Sequence, residues 1–260
     1  MKGSSQQQLP RSLIALSGLL VALIALVMAV AAGFGSRWGW WHFGVGFSVL
    51  RWAVYVAIAA VIVSLSGAVL CWRGSVRRGL IMAVVALVIS LPVIIVPQLW
   101  KHTAHLVPPI HDITTDVVNP PQFVSILALR ADAPNSVQYG GDIIAAKQQT
   151  AYPDIKPVFV AAAPAIAFDA ALHTAKEMGW NIVAKDPSQG RIEATDTTFW
   201  FGFTDDVVIR MMPMDSGARL DLRSVSRVGV SDVGTNAARI RNFVKQFNQV
   251  IKQKLPSTNS

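Results

Sequence analysis

The stretch Arg191–Arg239, RIEATDTTFWFGFTDDVVIRMMPMDSGARLDLRSVSRVGVSDVGTNAAR, decides the fold. Its residues alternate. Ile192, Ala194 and Asp196 oppose Arg191, Glu193 and Thr195. Val207, Ile209 and Met211 oppose Asp206, Val208 and Arg210, and Leu220 and Leu222 oppose Arg219, Asp221 and Arg223. Alternation with period two is the pattern of strands that bury one face. Asp215-Ser216-Gly217 turns the chain between two of them. The loop RVGVSDVGTNAAR (227–239) then opens a segment in which Ile240, Phe243, Val244, Phe247, Val250 and Ile251 recur at helical spacing.

Working outward, Pro157–Ala163 reads as a strand. Pro164 starts a helix at a favourable first-turn position, with Phe168, Ala171, Leu172, Ala175 and Met178 as its apolar stripe and Gly179 at its end. Trp180, Ile182 and Ala184 alternate as a further strand before the turn Asp186–Gly190. The order is β-α-β-β-β-β-α over residues 157–260. This predicts an α+β two-layer sandwich, an antiparallel sheet with two helices on one face and water on the other. In shape it is TATA-box-binding-protein-like, an analogy that carries no function.

The first 101 residues read as a transmembrane domain. Leu13 to Ala32 is almost unbroken apolar, and about 20 residues span roughly 30 Å of hydrocarbon. A cleaved signal peptide is the competing reading of this run, but its apolar core would normally be shorter, and here more spans follow. Spans are expected at about 13–33, 49–71 and 79–99, with Pro92 and Pro97 kinking or ending the third. Trp38, Trp40 and Trp41 in the first connector form an interfacial aromatic belt. Residues 102–156, with the pairs Pro108-Pro109 and Pro120-Pro121, read as an extended tether with short elements. These are a strand over Phe123–Leu129 and a helix over Gly140–Gln149 capped by Asp142.

Charge follows this division. Among the 260 residues, all 15 acidic ones lie after Lys101, whereas 8 of the 23 basic ones lie at or before it. The formal charge of +8 therefore belongs to the membrane flanks and speaks of topology, not of nucleic acid. Lys2, Arg11, Arg73, Arg77 and Arg78 flank one side of the spans, against Arg37, with Arg51 at the edge of the same connector, and Lys101 on the other. The positive-inside rule then places the N-terminus in the cytoplasm and everything after Trp100 outside, which in a bacterial inner membrane is the periplasm. The single Cys71 allows neither an internal disulfide nor a cysteine metal site, and no cofactor or metal is expected.

The motifs HDITTD (111–116), NPPQF (119–123), YPDI (152–155), MGW (178–180), RIEATDTTFWFGFTDDVVIR (191–210) and DLRSVSRVGVSDVGTNAARIRNF (221–243) resemble the bacterial "domain of unknown function 1499" family, from about His111 to Phe247. The membrane part is similar to its three-span members. The resemblance implies the fold and topology and no established activity.

Three site readings follow. The charged sheet face, with Arg191, Glu193, Arg210, Arg219, Asp221 and Arg223, is expected to be solvated and cross-strand paired, each pair contributing roughly 0.2–1 kcal/mol, and Asp206 is expected to pair with an arginine. Arg210, Asp221, Arg223 and Arg227 are expected to act as one network. The alternative is a shallow site for a small anion, formed by Arg210, Arg223 and Arg227 with Asp232, Asn236 and Arg239 at the start of the last helix. A hydrolase using His111 with a carboxylate or with Ser224 or Ser226 is a third reading, requiring a proximity the sequence does not show. Asp205 and Asp206, adjacent on a strand, face opposite sides and cannot form a close carboxylate pair. The favoured expectation is a non-enzymatic envelope protein whose partners are the lipid bilayer and either an envelope protein or a small anionic ligand.

Overall fold

In the computed structural model the described residues are 3–254, with side chains from Ser12 onward. Lys2, and the side chain of Arg11, used above for topology, lie outside them. The described residues form two compact units: 3–102 together with Phe199–Gly202, and 103–198 with 203–254.

The first unit is built on three helices long and apolar enough to cross a membrane, α1 (Gly3–Arg37), α2 (Phe43–Arg73) and α3 (Arg77–Leu106). Their burial is inverted relative to a water-soluble bundle. Small residues are fully buried between the helices, Ala15, Ala22 and Ala25 on α1, Ala57 and Ala60 on α2, Ala83 and Ala86 on α3. Leu20, Ile24, Val27, Ile62 and Val88 face outward. Apolar side chains gain nothing by leaving lipid, so small residues that let backbones approach hold such helices together. A Cβ on Gly67 would lie 3.0 Å from the Ala15 backbone. Pro92 and Pro97 do not end α3, which continues through both to Leu106. Proline is tolerated in membrane helices because local adjustment and neighbouring groups satisfy the freed carbonyls. His42 Nδ1 caps α2, accepting from the Gly44 N–H at 3.2 Å.

The second unit contains β1 (Asp112–Thr114), a short 3-10 helix (Ser125–Arg130), α4 (Gly141–Ala151), β2 (Val158–Val160), α5 (Pro164–Glu177), β3 (Asn181–Asp186), β4 (Arg191–Thr197), β5 (Thr204–Met214), β6 (Gly217–Ser226) and α6 (Thr235–Lys254). From β2 onward this is the expected β-α-β-β-β-β-α order. All pairings are antiparallel, in the order β1-β6-β5-β4-β3, and β2 joins the same edge of β6 as β1. The register sets Arg210 opposite Asp221 and Val208 opposite Arg223. One face is apolar, as the alternation requires: Ile192, Ala194, Val207, Ile209, Met211, Leu220 and Leu222 pack under α5 and α6. Trp180 stacks on Phe243, with ring centroids 5.2 Å apart.

The other face is not solvated. Residues 112–139 fold back across it instead of forming a tether. Phe123 and Ile126 pack on Val208 and Val225, and Glu193, Asp206, Asp221 and Arg223 are fully buried beneath the segment. The prolines keep this stretch extended without keeping it free. Gln148 of α4 pairs with β1, its Oε1 accepting from the Thr114 N–H (2.9 Å) and its Nε2 donating to Thr114 O (2.6 Å). That side chain stands in for a neighbouring strand.

Two local expectations change for related reasons. Where a strand was expected over Phe123–Leu129, the chain forms the 3-10 helix Ser125–Arg130. The N–H groups of its cap residue Val124 and of Ser125 and Ile126 all donate to the Glu193 carboxylate at 2.9–3.1 Å. A buried carboxylate at a helix N-terminus satisfies donors that have no intrahelical partner. Asp142 lies in the first turn of α4, but Gly140 is the cap residue and no side chain caps that end.

Candidate functional site

The charged face resolves into separate clusters of ion pairs. Arg223 is fully buried and grips Asp112 bidentately, Nε to Oδ1 at 2.9 Å and Nη2 to Oδ2 at 2.7 Å. Its remaining N–H groups donate to Pro121 O (3.2 Å) and Val137 O (2.6 Å). The guanidinium lies between the rings of Phe123 and Tyr139, 5.4 and 5.5 Å from their centroids. Burial, with the Asp112 carboxylate nearby, pushes the Tyr139 phenol up to about 12.

Next to it, Asp221 and Asp116 share Arg210 and Arg219. Arg210 Nη2 donates to Asp221 (2.8 Å), Asp116 (3.0 Å) and Asn119 O (2.9 Å). Arg219 donates to Asp221 through Nε (3.1 Å) and Nη2 (3.0 Å), and to Asp116 through Nη2 (2.6 Å). Burial pushes the Asp116 carboxyl up, but the Asn119 and Val118 N–H groups and the two guanidiniums outweigh it and hold it below the usual range. A cleft of about 460 Å³ is lined by Thr115, Asp116, Tyr152 and Lys156 among others. It offers a carboxylate and one ammonium, not a set of guanidinium forks.

Asp205 and Asp206 face opposite sides, as alternation demands. Asp206 meets Arg130 and receives Arg227 bidentately, at 3.0 and 2.8 Å. Asp205 accepts from Arg239 Nη2 at 2.6 Å, and Asp196 from Arg239 Nε at 2.8 Å. Arg239 also reaches Ser224 Oγ (3.1 Å) and Asn236 Oδ1. With the Arg191–Glu193 pair at 3.0 Å, seven arginines on and around the sheet meet seven buried or half-buried carboxylates. Arg210, Asp221, Arg223 and Arg227, expected as one network, are distributed over three of these clusters. Strand registry sets which residues share a face but not which non-local segment supplies their partners.

The residues of the suggested anion site are engaged in the same way. Asp232 accepts the Gly234 and Asn236 N–H groups at 2.9 and 2.7 Å, so its own carboxylate occupies the start of α6. Burial raises its pKa. Asn236 Nδ2 donates to His111 O and to Ser226 Oγ, both at 3.0 Å. Ser224 Oγ donates to Asn236 Oδ1 at 2.6 Å, so its proton is directed at an amide and not at an imidazole.

His111 is half-buried, and burial lowers its pKa, opposed by the Asp112 and Asp232 carboxylates and assisted by Arg130. The unfolded imidazole, near pH 6.5, then binds protons that the folded one does not. Its stability contribution is whole above that pH and declines as pH falls from there toward the folded value. His111→Gln should flatten the stability profile between pH 7 and 5, as read from melting temperatures. An unchanged slope would contradict the assignment.

Asp112, Asp116 and Arg130 are the partners that sequence reasoning missed. The signal for the first two was available: Asp112, Thr114 and Asp116 alternate, as side chains along a strand do. Arg130 carries no such mark.

A search of curated proteins returns no match. Residues 112–247 match the family described as "Protein of unknown function (DUF1499)", a stretch that runs from the first residue of β1 into α6 and takes in every cluster above. The chain belongs to that family, as a member with three apolar membrane helices ahead of the family domain.

Proposed function

We propose that the chain is an inner-membrane envelope protein whose domain after α3 faces the periplasm and serves as a binding or interaction module. The observation that carries the orientation is the placement of charge. Arg73 ends α2, Arg77 begins α3, and Arg78 follows, so three arginines flank the α2–α3 turn. The α1–α2 connection and the end of α3 are poor in basic residues by comparison. Reporter fusions after Arg78 should read cytoplasmic and fusions after Lys156 periplasmic. The reverse pattern sinks the orientation.

Pairing of the arginines supports a structural role for the charged face in such a module. Each guanidinium already holds an internal carboxylate, so an incoming anion would compete with a partner that is covalently part of the chain. The small-anion reading keeps support at Arg210, Arg219 and Arg227, whose side chains retain 19%, 24% and 23% exposure. Thermal melts of the full chain with and without phosphate or a dicarboxylate separate the two. A rise that Arg219→Ala removes would favour the anion site, and no rise favours a protein or envelope partner bound elsewhere.

A further inference from the structure

The hairpin between β4 and β5 is not a tight turn. Thr198 and Phe203 close its neck: the Thr198 N–H donates to Phe203 O at 2.8 Å, and the Phe203 N–H donates to Thr198 Oγ1 at 2.9 Å. Beyond the neck, Phe199–Gly202 belong to the unit of the membrane helices. The fit there is close. Trp200 covers Gly33, where a Cβ would fall 2.0 Å from the indole Cδ1, and its ring meets Trp100 at 5.4 Å. Phe201 is 4% exposed and packs on Phe47 at 4.9 Å, beside Gly46, where a Cβ would lie 3.0 Å from its ring. Glycine weakens a helix interior, and clearance for the indole accounts for Gly33; at Gly46 a Cβ would meet Ala32 O at 2.5 Å as well as the Phe201 ring, so that glycine serves the close approach of α1 and α2 and the ring together.

The polar groups of the tip are served from α1. Arg37 Nη1 donates to Phe199 O at 3.0 Å, Ser36 Oγ to Phe201 O at 3.3 Å, and the Trp200 indole N–H to Val30 O at 3.4 Å. Irregular backbone survives at membrane depth only where protein satisfies it. Arg37, an exception to the charge asymmetry of the spans, thus has a use on its own side of the membrane. What stays open is aromatic: Phe199, 78% exposed, meets Phe34, which meets Trp38 (60% exposed), which in turn meets Trp40 (65% exposed). Rings of this kind settle at the headgroup level.

We propose that Phe199–Gly202 is a fourth membrane-contacting element, a wedge seated in the interfacial layer at the level of the α1–α2 turn. Its partner is lipid, against Phe199, Trp38 and Trp40. The proposal rests on the reading of α1–α3 as membrane spans. It gives the chain a second entry into the bilayer at Phe199, far along the sequence from the end of α3 at Leu106.

The test uses the full chain carrying Cys71→Ala, with a nitroxide on Phe199→Cys, Ile62→Cys or Ser188→Cys, reconstituted in phosphatidylcholine–phosphatidylglycerol vesicles. Phe199 and Ile62 are exposed side chains, so labelling removes little packing, and Ser188 lies in the exposed β3–β4 turn. Relaxation by oxygen reports lipid, and relaxation by a water-soluble nickel chelate reports water. The expected result is a severalfold preference for oxygen at positions 199 and 62 and for nickel at 188. Nickel preference at 199 with oxygen preference at 62 overturns the wedge and leaves the spans intact. Nickel preference at both 199 and 62 overturns the membrane reading and the wedge with it.

Discussion

Arg223→Met is expected to lower the melting temperature of the full chain by on the order of 10 °C. The methionine keeps most of the side-chain volume, so the effect isolates charge and hydrogen bonding from cavity formation. Asp112, 4% exposed, then keeps its carboxylate in a buried site without its bidentate partner. Pro121 O and Val137 O lose their donors as well. Breaking a buried pair from one side costs about 3–5 kcal/mol, because the remaining charge cannot return to water. For a unit of this size about 1 kcal/mol shifts the midpoint by roughly 2–4 °C. A solvated cross-strand pair, the expectation from alternation alone, would contribute about 0–1 kcal/mol and shift it hardly at all. Calorimetry in detergent reads the difference.

Asp221→Asn should produce the second large loss, about 3 kcal/mol. Asp221 is fully buried, and its two oxygens take Arg210 at 2.8 Å and both donors of Arg219, at 3.1 and 3.0 Å. The amide keeps the shape but presents one acceptor and one donor, so a guanidinium faces an N–H group. Asp116 alone is left to balance two arginines. Lys252→Ala, on an exposed position in the last turn of α6, should move the midpoint by no more than about 0.5 kcal/mol in equivalent stability. Equal melting of the two variants would remove Asp221 from the account.

How much of this was legible in the sequence depends on whether a feature is periodic. Ile192 and Ala194, Val207, Ile209 and Met211, and Leu220 and Leu222 announce one buried face through period two, and the structure places all of them in the core under α5 and α6. The same parity correctly aligns Glu193, Asp206, Asp221 and Arg223 on the opposite face. It says nothing about what covers that face. The covering segment, residues 112–139, has no long apolar period, and its attachments are two apolar side chains, Phe123 and Ile126, the short pairing of β1, and polar contacts across great sequence distance, such as Glu193 capping the helix at Ser125. Charged residues read as solvated because charges usually are. Here each burial is compensated by a partner that only the folded chain brings near. The tip Phe199–Gly202 was missed for a similar reason: a short aromatic loop between strands does not declare which unit it joins.

The central claim is that the charged face is an internal brace between β1, the covering segment and the sheet. A double-mutant comparison of Asp112→Leu, Arg223→Met and the two together tests it most directly. If the pair is a buried brace, each single replacement leaves an uncompensated charge, while the double replacement removes both charges and recovers much of the loss. The account predicts that the double variant melts well above the Arg223→Met variant. Melting at the sum of the two single losses, or an Arg223→Met variant that melts with the parent, would contradict it.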